Sequence, residues 1–251
     1  MELSENNYFS EAAQLEYMGS SQFKAFETCE AAALAEVRGE YVRPVTPALL
    51  LGSYVDAYFS GTVDSYMGDH PEMFTRDGRL KAEYERANKA IQRVERDPFM
   101  MRYLDGEKQV IRTGKIEGAP VKIKMDVYHP GQAIVDLKYV RDFEPVWSVA
   151  EHSWLHWIDA WGYDVQGAIY QAVEGHGLPF LIAAVTKESE PDIGLFEVPQ
   201  EVLDQALRRV RSKIRRYQDV KEGKVEPYRC GRCDWCKATK VITEAVDYRY
   251  A

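Results

Sequence analysis

Between Val121 and Val140 the apolar residues fall at every second position, and elsewhere along the chain the spacing lengthens to that of a helix. Val121, Ile123, Met125 and Val127 form one alternating run; Val135, Leu137 and Tyr139 form the next. This period predicts two half-buried strands, joined by a turn at Tyr128-His129-Pro130-Gly131-Gln132. A strand near Glu107 to Thr113 leads into them. Upstream, Ser20 or Ser21 caps a helix carrying Phe23, Phe26 and Leu34, with Cys29 near its middle. The segment from Gly39 to Pro47 interrupts the pattern, and a second helix runs from about Ala48 to Phe59. "RLKAEYERANKAIQRVERD" (79–97) is a strongly polar helix, stopped by Pro98. Residues 1 to about 18 read as a loosely docked lead-in.

Downstream, Trp147 to about Glu174 reads as an aromatic-rich helix. "PFLIAAVT" (179–186) and "IGLFEVP" (193–199) are strands, 200–222 is a long helix, and a cysteine loop at 229–240 closes the pattern. The order predicts an α/β fold: a central mixed, largely antiparallel sheet flanked by helices. A chain of 251 residues, 45% hydrophobic, is read as one domain over 1–251, its core at about 48–200. No internal repeat shows.

Charge and cysteine content narrow the classes. A formal net charge of -8 argues against a protein that coats nucleic acid nonspecifically, though it leaves room for a local basic groove. No apolar run is long enough to cross a bilayer, and the acidic start Met1-Glu2-Leu3-Ser4-Glu5 is unlike a secretory signal. A soluble, cytoplasmic protein without a membrane partner is expected. Three of the four cysteines, Cys230, Cys233 and Cys236, crowd one loop, and Cys29 is remote. In a reducing compartment such clustering points to metal or redox chemistry rather than disulfides. The five histidines have no zinc-hydrolase spacing, and no phosphate-binding P-loop is present.

The polar face of the hairpin carries the sharper question. If both apolar faces look into one core, Asp126, Asp136 and Lys138 share the opposite face. Like charges facing each other across strands destabilise a hairpin. Either the face is solvated, or a divalent cation sits between the carboxylates.

Asp136-Leu137-Lys138, with Asp126 ten residues earlier, resembles the PD-(D/E)xK nuclease superfamily. The resemblance implies two carboxylates on one sheet face holding Mg²⁺ (or Mn²⁺) through oxygen ligands, with Lys138 as the catalytic cation beside them. The first acid stands in Met125-Asp126-Val127 rather than after a proline. Gln166-Gly167-Ala168-Ile169-Tyr170 is similar to the Q-x-x-x-Y signature of the RecB-like branch, which implies supporting roles for Gln166 and Tyr170. Gly52-Ser53-Tyr54-Val55-Asp56 stands where that branch carries Gly-x-x-x-His, so Asp56 is a candidate third ligand in place of histidine. Glu107 is a possible accessory on the preceding strand.

The remote Cys29 with Cys230-x-x-Cys233-x-x-Cys236 resembles the iron–sulfur subset of RecB-like nucleases, in which the cluster staples the chain ends together. The run favours a 4Fe-4S cluster, with Zn²⁺ as the alternative. Arg208, Arg209, Arg211, Arg215 and Arg216 make one helix densely positive. It is either a phosphate-binding surface or a solvated face balanced by Asp204, Asp219 and Glu222. Trp154, Trp157 and Trp161 are read as a core stripe.

The resemblance implies a metal-dependent DNA exonuclease acting on linear duplex or single-stranded ends, of the RecE or lambda-exonuclease type found in phage recombination. It further implies a host-cytoplasmic setting, a single-strand annealing protein as partner, and a homo-oligomeric ring among relatives. The alternatives are a single-strand end-trimming nuclease of the CRISPR-adaptation kind and a non-catalytic DNA-binding module of the same fold.

Overall fold

In a computed structural model, residues 1–149, 151–245 and 247 are described. Five strands form the main sheet: β1 (Glu107–Ile116), β2 (Ala119–His129), β3 (Ala133–Val140), and, beyond a separate two-stranded ribbon of β4 (Val146–Ser148) and β5 (Ser153–Leu155), β6 (Phe180–Thr186) and β7 (Ile193–Glu197). Their order across the sheet is β1-β2-β3-β6-β7. All neighbours are antiparallel except β3 with β6. Parallel strands need a crossover, and here it is supplied by the ribbon, the short helix α8 (Trp157–Ala160) and α9 (Tyr163–Glu174) once the preceding helices are numbered along the chain. Those are α1 (Glu11–Glu16), α2 (Ser20–Thr28), α3 (Glu30–Val37), α4 (Pro47–Ser60), α5 (Val63–Asp69), α6 (Ala82–Glu95) and α7 (Pro98–Leu104); α10 (Gln200–Lys221) and α11 (Asp234–Ala238) follow the sheet.

Each face of the sheet has its own core. One unites Ile123, Met125, Ile134 and Ile182 with Phe23 and Phe26 of α2, Leu34 of α3, Ile169 of α9 and Val210 of α10. The other unites Val127, Val135, Leu137 and Ala183 with Val55 of α4, Ile91 of α6 and Leu104 of α7. The predicted face shared by Val135 and Leu137 is observed. The predicted face running from Val121 to Val127 is not. Met125 belongs to the first core and Val127 to the second, so β2 changes face across Asp126. Its neighbour on β1, Gln109, has φ +53, a left-handed backbone that a long side chain adopts only when the surroundings hold it.

Five further expectations are corrected. The helix of Phe23 and Leu34 is two helices, because Cys29 is extended at φ -164, ψ 109 and separates α2 from α3. Pro98 does not merely stop a helix: it opens α7, where its missing N–H is no loss, and Asp97 accepts hydrogen bonds from the Phe99 and Met100 N–H groups. The stretch from Trp147 to Glu174 is mostly not one helix. Trp147 packs on Trp154 across the ribbon at 5.6 Å between ring centroids, and Gly162, at φ +63, separates α8 from α9. Only Trp157 of the three tryptophans is core; Trp154 and Trp161 are 67% and 56% exposed.

The lead-in, finally, is docked. Met18 N donates to Pro120 O at 2.8 Å and Met18 O accepts from Lys122 N at 3.1 Å, adding a one-residue parallel partner to β2. Among the described residues no helix is long and apolar enough to cross a membrane.

Candidate active site

The β2–β3 ladder holds only to Val127 opposite Val135, then opens. The next facing pair in that register is Asp126 and Asp136. Instead of a main-chain rung, Asp126 Oδ2 accepts the Leu137 N–H at 3.0 Å. The carboxylate thus replaces a backbone acceptor, and the strands part where two like charges would otherwise be pressed together. β3 stays anchored on its other edge, since Asp136 and Lys138 remain in register with Ile182 and Ala184 of β6. Lys138 follows Asp136 by two residues on the same face.

Asp136 is 1% exposed and held from two sides. Gln166 Nε2 donates to its Oδ1 at 2.6 Å. Lys138 Nζ stands 2.5 Å from Oδ2, which has no aligned hydrogen-bond donor. Burial, then Asp136 and Asp56, push the Asp126 carboxyl well above the usual carboxylate range. Burial opposes the Lys138 charge, but Asp136 and Asp126 outweigh it and raise this amine. α4 packs on β3 and brings Asp56 alongside, where Gln109 Nε2 donates to it at 3.2 Å. Burial raises the Asp56 carboxyl as well, against Lys124 and Lys138. Buried acids that repel one another, with an orphaned oxygen among them, fit a hard divalent cation.

α9 is seated by a close approach. A Cβ on Gly167 would lie 2.4 Å from the Phe180 ring on β6, so the helix sits tight on the sheet there and Gln166 reaches Asp136. One turn on, the Tyr170 hydroxyl donates to Lys124 O at 2.9 Å. Tyr163, at the start of α9, places its ring 5.1 Å from Lys138 Nζ.

The four thiols converge independently. Cys29, Cys230, Cys233 and Cys236 have sulfurs all within 4.8 Å of one another. The loop arranges its own ligands: Arg232 N and Cys233 N donate to Cys230 Sγ at 3.5 and 3.4 Å, and Cys236 N to Cys233 Sγ at 3.4 Å. Those N–H groups pull the Cys230 thiol down to about 6, while burial pushes Cys233 up to about 12. The extended Cys29 at the α2–α3 break is what lets the remote thiol face this loop.

Comparison with known proteins follows the same lines. The family model described as a PDDEXK-like domain of unknown function (DUF3799) matches residues 19–239. The chain belongs to this PDDEXK-like family, within the PD-(D/E)xK superfamily. No curated protein matches. A crystal structure of a Eubacterium rectale protein named "Putative exonuclease" is similar at 42% identity and TM-score 0.93, covering 98% of this chain and 97% of that one. The mixed five-stranded sheet with helices on both faces is accordingly restriction-endonuclease-like.

In this PDDEXK-like domain Asp56, Asp126, Asp136, Lys138 and Gln166 are brought together, with Tyr170 beside them. Glu107 is not: it is exposed at the start of β1, paired with Tyr128, and Gln109 takes the place next to Asp56. The arginine helix carries ion pairs that the sequence reading did not include. Arg209 and Lys213 bind Glu27, Arg216 binds Glu30, Arg211 faces Glu117 and Arg215 faces Asp219. Among the described residues Arg208 alone of the five arginines has no ion pair. α10 therefore uses its charge chiefly to hold α2 and α3, whose acids sequence spacing could not assign to it. Gln109 was missed because only its left-handed backbone turns it inward.

Proposed function

We propose that this protein is a divalent-metal-dependent deoxyribonuclease that degrades linear DNA from its ends. The observation that carries the reading is Asp136, buried between Gln166 and Lys138, with Asp126, raised by burial and then by that charge, a strand away. Asp126 and Asp136, with Asp56 as a third, would hold Mg²⁺ or Mn²⁺. When bound there, such an ion would supply positive charge for the scissile phosphate and lower the pKa of an attacking water. Lys138, kept cationic by the two carboxylates, steadies charge that builds on the phosphate. Gln166 fixes the rotamer of Asp136. Tyr170 fixes the strand at Lys124, which lies two residues before Asp126. A role in phage recombination, a host-cytoplasmic setting, an annealing partner and a homo-oligomeric ring fit such an enzyme.

The deciding experiment is Mg²⁺-dependent digestion of linear duplex DNA by wild type and Lys138→Ala, with a closed circle as control. Loss of the linear substrate with wild type only, and a spared circle, supports the reading. No digestion, or equal digestion by both, defeats it and leaves a non-catalytic DNA-binding module. Preferential digestion of single strands would move the assignment to an end-trimming nuclease.

The thiol centre supports a different metal from the cluster favoured by its spacing in sequence. Four thiolates around one tetrahedral zinc, with bonds of about 2.3 Å, stand about 3.8 Å apart. Sulfurs within 4.8 Å of one another fit that arrangement. A 4Fe-4S cubane interposes four irons and spreads its cysteines further. Metal analysis of protein purified without oxygen separates the two: one zinc per chain, or four irons with visible absorption.

A further inference from the structure

The docked N-terminal segment does more than complete β2. It forms one wall of a cavity of about 330 Å³ that opens beside Asp126 and Asp56. That volume lies at the small end of ligand pockets, roughly 300–1,000 Å³, and suits one nucleotide rather than a duplex. Tyr8 and Phe9 supply the wall. Tyr8 is buried, its carbonyl accepts a hydrogen bond from the buried Lys122 ammonium, and the same ammonium lies 4.6 Å from its ring. The next residue, Phe9, is 68% exposed and lines the same cavity. Lys124 Nζ stands 5.4 Å from the Phe9 ring and makes no ion pair among the described residues. An aromatic face and a free cation thus flank a nucleotide-sized space beside the carboxylates.

We propose that this cavity is a terminal-nucleotide pocket, with Phe9 stacking on the base and Lys124 binding the phosphate next to it. The inference rests on the nuclease reading above and extends it: residues 1–18 limit how much strand passes the scissile bond, so that chain ends are cut and single nucleotides released. Base-on-aromatic stacking is sequence-tolerant, and its removal weakens binding roughly fivefold or more.

The test uses the full chain and the variants Phe9→Ala, Phe9→Trp and Lys124→Ala, on end-labelled linear DNA with Mg²⁺. The proposal expects mononucleotides from wild type. It expects a KM at least about fivefold higher in Phe9→Ala, with longer products and kcat within about twofold, and recovery in Phe9→Trp. Wild type that cuts but releases long fragments, or Phe9→Ala with unchanged KM and product length, overturns the pocket and leaves the nuclease reading standing. If wild type cuts no DNA, the nuclease reading fails and thymidine monophosphate binding in EDTA decides the pocket. Binding weakened in both Phe9→Ala and Lys124→Ala then supports it; no binding by wild type, or equal binding by all, overturns it.

Discussion

The carboxylate site and the thiol site both gather metal-type donors, but they are built in opposite ways. Asp136 sits on a central strand held in register by β6, and Asp126 sits facing it where the β2–β3 ladder opens. The thiols sit at an interruption in the N-terminal helices and on a short C-terminal loop, and local N–H groups aim two of the sulfurs. The first site is imposed by the scaffold and costs it stability, since burial and mutual repulsion disfavour the charged carboxylates. A metal at the second would give stability back, because it would tie the N-terminal helices to the C-terminal loop.

The largest test of this contrast is Asp126→Asn. Cleavage is expected to fall on the order of a thousandfold or more, as when a group that stabilises transition-state charge is lost. The metal-free protein is expected to be at least as stable, because burial and the neighbouring acids already disfavour this carboxylate and an amide oxygen can still accept the Leu137 N–H. Activity assays beside chelated thermal melts read both. A variant that loses activity and stability together would show that Asp126 is a structural acid.

Cys230→Ala should do the reverse. Losing one thiolate of a closed metal site is expected to lower stability by about 4 kcal/mol or more, while the fraction still folded at low temperature keeps its turnover. Denaturant melts and active-site-normalised rates at 10 °C, with the metal content measured, distinguish this from a catalytic effect. Unchanged melting with full loss of bound metal would remove the staple from the account.

A third tie between the ends needs no thiol. The buried Lys221 of α10 donates to Tyr17 O and to Gln22 Oε1, both at 2.9 Å. Burial, then the neighbouring Lys122, pulls its amine down to about 7. The unfolded chain, with an ordinary lysine, holds this proton up to about pH 10, so between about 7 and 10 it binds more protons than the folded one. Stability contributed here therefore rises with pH through that window, by about 2 kcal/mol between pH 7 and 9. In Lys221→Met the rise should shrink by that amount, leaving the part contributed by Lys122, whose amine burial also pulls down to about 8. A wild-type stability that falls or stays level from pH 7 to 9 would contradict it.

How much of this was legible in the residues follows from what each element depends on. The strands around Asp136 and Phe180 showed because their apolar period is local and long. The gathering of Asp136 and Lys138 with Asp126 showed because a two-residue step fixes a shared face and the order of motifs fixes the neighbours. The change of face at Asp126 did not show: it depends on Gln109 across the ladder, whose backbone the sequence leaves open. Nor did the ribbon. Its tryptophans satisfy a helical stripe as readily as a strand pair, and only the tertiary placement of Trp157 decides. The lead-in looked loose because its anchors, Pro120 O, Lys122 and Lys221, lie about a hundred residues or more away.

The smallest effect tests the arginine helix, for which the sequence offers both a phosphate-binding surface and an acid-balanced face. Glu30 is buried and accepts both Arg216 Nε and Nη2, at 2.7 and 2.8 Å, as well as the Tyr228 N–H at 2.7 Å. It therefore ties α3 at once to α10 and to the segment leading into the thiol loop. The arginine is half exposed, so solvent weakens the pair, yet the fork geometry and the buried acid put it above an ordinary surface contact. A double-mutant cycle of Arg216→Ala and Glu30→Gln is expected to give a coupling of about 1 kcal/mol in unfolding free energy. DNA affinity should change less than twofold, because an arginine already engaged by a carboxylate releases few counterions from phosphate. If α10 were a DNA surface instead, Arg216→Ala would leave stability nearly intact, weaken binding, and reduce the salt dependence of binding by about one ion. Those outcomes differ in size on two separate measurements, so either one alone places the helix with the staple or with the substrate.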